Sequence, residues 1–98
     1  MSDFEKIPGT LSLAKNRLGV VVDPLFSHEL VSYDLDGVRY IVPSESGKLG
    51  TEYFSFLYIS SAYREDAWGV PLPKSLLDRM RKDLPDAFAA CGLKCTLR

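Results

Sequence analysis

The stretch that decides the fold is VSYDLDGVRYIV, residues 31–42. Asp36-Gly37 separates two runs in which apolar and polar residues alternate, the pattern expected of a two-residue type I′ hairpin. With those two residues as the loop, Asp34 faces Arg39, so one face carries a cross-strand pair of opposite charge. The other face is apolar, and this register predicts the side chains that enter the core. They are Val31, Tyr33, Leu35, Val38, Tyr40 and Val42.

The chain before this hairpin gives weaker signals. Residues 1–9 end at the turn signal Pro8-Gly9, and we interpret them as a flexible arm or a short lead-in. Residues 10–22 fit a first hairpin that stops at Asp23-Pro24. A helical turn over 11–17 is the competing interpretation.

After the hairpin, glycines predict a loop over 44–50. Residues 53–61 then predict a strand that is apolar on both faces. Such a strand is usually central or covered on both sides. Alternatively, one of its faces meets a partner.

A long connection over residues 62–72 leads to the predicted helix. Apolar residues recur at three- and four-residue spacing from about Pro73 to Cys91. Pro85 interrupts this segment without shifting the phase of the apolar stripe, so we expect one kinked helix rather than two. Residues 94–98 predict a short final strand.

Together these elements predict an α+β domain. We expect a mostly antiparallel sheet of about four to six strands, with one long C-terminal helix packed on one face and a short strand at the end. At 98 residues the chain has the length of a single domain, so we assign residues 1–98 to one unit.

Composition excludes several classes of function. The net charge is −1, from 12 Lys and Arg against 13 Asp and Glu, which gives no basic surface for nucleic acid or for a membrane. No apolar run follows Met1, and none approaches the roughly 18 residues of a membrane span, so we expect neither a signal peptide nor a membrane helix. Two cysteines do not indicate a disulfide scaffold. We therefore expect a cytoplasmic protein.

Motifs for cofactors and metals are incomplete. Ser46-Gly47-Lys48 lacks the upstream glycine and the following Ser or Thr of a phosphate loop. His28, Cys91 and Cys95 are too few for a structural zinc site, which takes four ligands. We predict no cofactor and no metal, with Cys91 on the core side of the helix and no disulfide between the two thiols.

Catalysis is the weakest of the functional hypotheses. His28 is the only histidine, and a catalytic role would require it to meet Ser60, Ser61 or a carboxylate in a cleft. No Gly-x-Ser-x-Gly turn is present to expose a nucleophile. We expect a loop histidine without a catalytic role and predict that the protein is not an enzyme.

The segment 63–68 is the candidate binding site. Tyr, Trp and Arg dominate the energetics of protein interfaces, and binding residues concentrate in loops. A solvated role for the charged residues, and for Trp68 a position as a lid between sheet and helix, are the competing interpretations. The predicted contact residues are Tyr63, Arg64, Glu65, Asp66 and Trp68.

Several of these features occur together in one known class of protein. They are Tyr33, the Asp36-Gly37 turn, residues 40–45, residues 56–61, Trp68-Gly69-x-Pro71-Leu72, the amphipathic helix, Gly92 and the closing strand. Over residues 30–98, the chain resembles small immunity proteins of bacterial polymorphic toxin systems, including contact-dependent growth inhibition. The resemblance implies tight binding to a cognate toxin domain. Inhibitors of nuclease toxins are often strongly acidic, and the net charge of −1 departs from that pattern.

The leading hypothesis is therefore a non-enzymatic protein that binds a protein partner, a toxin domain, and neutralises it. The first alternative is a small regulatory or scaffold subunit that forms homo-oligomers through a strand edge or the helix. The second is a small enzyme that uses His28.

Overall fold

The computed structural model describes residues 3–98, in which one helix packs against a curled sheet. The eight strands are β1 (Glu5–Lys6), β2 (Ala14–Lys15), β3 (Val21–Ser27), β4 (Leu30–Leu35), β5 (Val38–Leu49), β6 (Glu52–Leu57), β7 (Tyr63–Arg64) and β8 (Cys95–Leu97). The helix α1 spans Lys74–Ala90, and a 3-10 turn covers Ile59–Ser61. The predicted α+β class and the single long helix are confirmed.

The sheet has the order β1-β2-β3-β4-β5-β6-β8, and β7 pairs with β5 beside the end of β6. Every pairing is antiparallel except that of β6 with β8. The mostly antiparallel sheet is therefore confirmed, whereas the predicted four to six strands were too few. The strands in excess, β1, β2 and β7, have two residues each, which is too short for any alternation to show in the sequence.

The N-terminal segment belongs to the sheet, contrary to the interpretation as a flexible arm. Phe4 is only 7% exposed and joins the core, and β1 pairs with β2. Met1 and Ser2 lie outside the described residues. Over 10–17 only Ala14–Lys15 is a strand, and the helical alternative is wrong. The hairpin between β2 and β3 turns at Asn16, whose Oδ1 accepts from the amides of Leu18 and Val20 at 3.0 and 2.9 Å.

The central hairpin has the predicted register from Leu30↔Pro43 to Leu35↔Val38. Asp36 and Gly37 both have positive φ, 52° and 77°, as a type I′ turn requires. The predicted charge pair forms, with Arg39 Nε 3.0 Å from Asp34 Oδ1. On the other face Val31, Tyr33 and Val42 are fully buried.

β5 is longer than predicted, and the loop predicted at 44–50 is wrong. The strand runs through Leu49 and pairs with β6, from Ser44↔Leu57 to Leu49↔Glu52. β6 ends at Leu57, earlier than predicted, and the chain then enters the 3-10 turn. The prediction of a central strand is confirmed, because β6 lies between β5 and β8.

The helix covers the concave face of the sheet. Met80, Leu84, Ala87 and Phe88 are buried on the predicted stripe, and α1 continues across Pro85 as one helix. Its C-terminus forms a Schellman motif around Gly92 (φ 71°). In that motif the amide of Leu93 donates to Phe88 O at 2.9 Å, and that of Gly92 donates to Ala89 O at 3.0 Å.

A partly buried polar contact links the helix to the sheet. The hydroxyl of Tyr33, on β4, donates to Asp83 Oδ2, on α1, at 2.6 Å.

Among residues 3–98, no helix has the length and apolar composition that a membrane span needs.

Candidate binding surface

The predicted contact segment is held against the sheet by backbone hydrogen bonds. β7 pairs with the first half of β5, at Tyr40↔Arg64 and Ile41↔Tyr63. The amide of Glu65 then donates to Arg39 O at 2.9 Å. The segment therefore leaves the sheet from a fixed position.

Two consecutive turns follow β7. The amide of Ala67 donates to Arg64 O at 2.9 Å, and the amide of Val70 donates to Ala67 O at 3.2 Å. Gly69, the third residue of the second turn, has φ 85°, a conformation that glycine adopts without strain. Trp68 is therefore the second residue of a tight turn, where a side chain projects away from the body of the domain.

Trp68 is 80% exposed, and Val70 beside it is 58% exposed. The interpretation of Trp68 as a lid on the core is wrong. Its place is taken by smaller side chains that pack against the core, since Ala62 is buried and Leu72 is half-buried. The core is closed without the indole, which is left free to contact another molecule.

Arg64 and Asp66 form a bidentate ion pair across the first turn. Besides the bond between Arg64 Nε and Asp66 Oδ1, Arg64 Nη2 donates to Asp66 Oδ2 at 2.9 Å. This hydrogen bonding lowers the pKa of Asp66 below its ordinary value and raises that of Arg64. The pair restrains the long Arg64 side chain in the turn that precedes Trp68.

Arg39 extends the charged group onto the sheet. Its guanidinium lies between Asp34, at 3.0 Å, and Glu65, at 3.9 Å, and 4.9 Å from the centroid of the Phe26 ring. Hydrogen bonding to Asp34, followed by the attraction of that carboxylate, raises the pKa of Arg39. The sequence predicted the pair of Arg39 with Asp34 but not its contact with Glu65.

Three clefts surround this segment. An open polar cleft of about 480 Å³ is lined by Asp34, Gly37, Val38, Arg39, Arg64, Glu65 and Asp66. A more apolar cleft of about 310 Å³ lies between the segment and the start of α1, lined by Tyr40, Arg64, Ala67, Val70, Pro71, Leu72, Pro73 and Leu76. A third, of about 270 Å³, is lined by residues 60–63 and 68–71.

We call the exposed and half-buried side chains of this region the Trp68 surface. It comprises Arg39, Tyr63, Arg64, Glu65, Asp66, Trp68 and Val70. All five predicted contact residues lie on it, and Tyr63 is half-buried beside Trp68 in the third cleft. Sequence reasoning missed Val70, whose apolar character gave no signal inside a loop, and Arg39, which is distant in the chain.

The residues of the catalytic alternative, His28, Ser60 and Ser61, do not lie in one cleft. His28 lies in the two-residue loop between β3 and β4, with its side chain 93% exposed and Nε2 3.7 Å from Glu29 Oε1. Ser60 and Ser61 line the third cleft, which His28 does not. The cleft geometry that a His28 mechanism requires is therefore not formed by these residues.

The two cysteines are free and half-buried. The Cys91 thiol donates to Ser12 O at 3.3 Å, in keeping with its predicted place on the core side of the helix. Burial raises the pKa of Cys95 to about 11. Within residues 3–98, no group of three or more His, Cys, Asp or Glu side chains is placed to hold a metal ion.

Comparison of the chain with models of known protein families, with curated proteins and with solved structures found no match.

Proposed function

We propose that this chain is a cytoplasmic, non-enzymatic binding protein, an immunity protein that neutralises a cognate bacterial toxin domain through the Trp68 surface. The observation that carries the proposal is the exposure of Trp68, 80%, at the tip of a hydrogen-bonded turn. The chain's resemblance to immunity proteins of polymorphic toxin systems supplies the class of partner.

An exposed tryptophan next to a second exposed apolar residue favours a role in binding. Tryptophan and arginine are enriched among the residues that dominate the free energy of binding at interfaces. Burying Trp68 and Val70 against a partner removes apolar area from water, which the domain does not achieve by folding alone.

The surface is also preorganised. Arg64 is held by Asp66, and Arg39 is held by Asp34, so these long side chains are restrained before any partner arrives. Restrained side chains lose less conformational entropy on binding, which leaves more of the interaction energy as affinity. Rigid, preformed surfaces are what tight inhibitors use.

The charges of the Trp68 surface nearly cancel. Arg39 and Arg64 each have a carboxylate partner, and Glu65 lies beside Arg39. Such a surface does not attract a strongly basic partner, so we expect a toxin domain whose contact face is close to neutral rather than a nuclease with a basic active-site face.

The experiment is toxin neutralisation. The reading frame adjacent to the gene is expressed in a bacterial host with and without this chain, and growth is followed. We expect growth arrest that the wild-type chain relieves, together with a purified complex of the two proteins.

Two variants locate the interface. Trp68→Ala should weaken the complex by about 30-fold or more, as expected for a hot-spot tryptophan. The matched control is Tyr53→Ala, which removes an aromatic side chain that is 73% exposed at the tip of the β5–β6 hairpin, outside the Trp68 surface. A neighbouring product that is harmless, or a complex that both variants leave unchanged, would refute the proposal.

A further inference from the structure

β8 forms one edge of the sheet. It pairs with β6 through Ser55↔Cys95, Phe56↔Thr96 and Leu57↔Leu97, and no other strand of residues 3–98 pairs with it. An edge strand presents backbone groups to which another chain can add by strand pairing.

The hydrogen bonds to β6 show which backbone groups of β8 are available. The amide of Ser55 donates to Lys94 O at 3.0 Å, and the amide of Arg98 donates to Leu57 O at 2.8 Å. In a parallel ladder with this register, Thr96 is the residue between them that bonds to β6. The N–H and C=O groups of Cys95 and Leu97 therefore point away from β6, and they have no hydrogen-bond partner in the part of the chain that the structure describes.

Side chains alternate along this edge. Cys95 and Leu97 pack against the core on the concave face. Lys94 and Arg98 lie on the opposite face, where their cationic groups are 5.8 Å and 4.6 Å from the ring centroids of Phe54 and Phe56. Lys94 Nζ also lies 2.6 Å from Glu52 Oε1. An added strand would therefore meet Arg98 and the Lys94–Glu52 ion pair, with a net positive charge, on one face and an apolar border on the other.

A second copy of this chain fits the edge poorly in the register that pairs the most residues. Two β8 strands related by a two-fold axis through Thr96 would pair antiparallel, with Cys95 opposite Leu97 and Lys94 opposite Arg98. Lys94 of each copy would then lie directly opposite Arg98 of the other copy, and like charges directly opposite each other are destabilising. The charges favour an acidic strand from a different protein.

We propose that the β8 edge binds an extended segment of a partner protein as an added antiparallel strand. Acidic residues of the segment face Lys94 and Arg98, and apolar residues face Cys95 and Leu97. The outward backbone groups of Cys95 and Leu97 make four hydrogen bonds to the segment. The edge is separate from the Trp68 surface, and this inference does not rest on the proposed toxin partner.

The register specifies the segment. Reading it from the residue opposite Arg98 to the residue opposite Lys94, the order is acidic, apolar, small, apolar, acidic. The probe is therefore the blocked peptide acetyl-Glu-Val-Thr-Val-Glu-amide. The matched control is the same peptide with lysine in place of both glutamates.

The experiment is a titration of the ¹⁵N-labelled protein with each peptide, followed by NMR. We expect saturable shifts along β8 with the acidic peptide and at least tenfold weaker binding of the lysine peptide. In hydrogen exchange, the amides of Cys95 and Leu97 should gain protection, whereas Thr96, already bonded to β6, should change little.

Two further variants test the mechanism. Methylating both valine nitrogens of the peptide removes donors that face β8 and should abolish binding, whereas methylating the threonine nitrogen, which points away, should not. The protein variant Lys94→Glu/Arg98→Glu should prefer the lysine peptide. If that variant does not fold, Lys94→Gln/Arg98→Gln takes its place and should bind both peptides with equal affinity. Any of four results would overturn the proposal: no binding of the acidic peptide, equal affinity for the acidic and lysine peptides, no effect of valine methylation, or dimerisation of the protein through β8.

Discussion

Replacing Tyr33 with phenylalanine tests the polar contact that joins the sheet to the helix. Tyr33 is fully buried, and its hydroxyl donates to Asp83 Oδ2 at 2.6 Å. Phenylalanine keeps the ring and its apolar contacts but removes the donor. The change therefore isolates one hydrogen bond.

The expected loss follows from the surroundings of Asp83. A hydrogen bond to a charged group contributes about 1.5–3 kcal/mol to stability. Asp83 keeps a second neighbour in the variant, since Arg79 Nε lies 3.8 Å from Oδ2, and its side chain is 13% exposed. Because water and Arg79 compensate in part, we expect Tyr33→Phe to lower the free energy of unfolding by about 1.5–2 kcal/mol.

The assay is urea denaturation followed by far-UV circular dichroism. Fluorescence of Trp68 is a poor probe, because that side chain is 80% exposed in the folded protein. Tyr53→Phe serves as the control, since Tyr53 is 73% exposed, and should leave the midpoint unchanged. A double-mutant cycle with Asp83→Ala then measures the coupling between the two side chains. A loss below about 0.5 kcal/mol for Tyr33→Phe, or no coupling in the cycle, would refute the assigned strength of this contact.

Two other predictions concern the β5–β6–β8 part of the sheet. A Cβ atom at Gly47 would lie 2.1 Å from Phe56 Cε2, so Gly47→Ala must displace a ring on which Arg98 stacks. We expect the free energy of unfolding, measured by urea denaturation, to fall by about 1–2 kcal/mol, and to stay unchanged in the neighbouring control Ser46→Ala. Equal stabilities of the two variants would contradict the close approach. Burial raises the pKa of Cys95 from 9.0 to about 11, so the folded protein holds a proton that the unfolded chain releases, and stability should fall as pH rises from 9 to 11. Iodoacetamide should accordingly modify Cys95 in the folded protein more slowly than in the urea-unfolded protein at pH 9, and equal rates would show that the thiol is not protected.

The local features of the fold were predictable where a short sequence signal and the core agreed. Asp36-Gly37 fixed the hairpin register, because slipping it by one residue would turn Tyr33 and its apolar neighbours out of the core. The helix could be predicted across Pro85 for a similar reason, since its apolar stripe keeps one phase. Gly92 marked the end of the helix because the Schellman motif needs a left-handed residue there.

Long-range pairing was not predictable. The segment 44–50 contains two glycines and polar residues, yet it is a strand because β6 lies beside it and Phe56 covers Gly47. The two-residue strands exist only because neighbouring strands offer them partners. For the same reason, the pairing of Glu5–Lys6 with β2 could not be predicted.

For the candidate site, the sequence by itself determined which residues could dominate an interface: Tyr63, Arg64 and Trp68 in one loop, with Asp34 and Arg39 paired across a hairpin. Only the tertiary structure decided that Trp68 faces solvent, that Arg39 meets Glu65, and that β8 leaves an open edge flanked by two cations. The physical reason is that exposure and pairing depend on what fills the space beside a residue. Local sequence sets which conformations and contacts a residue can make, and the neighbours brought by the rest of the chain select among them.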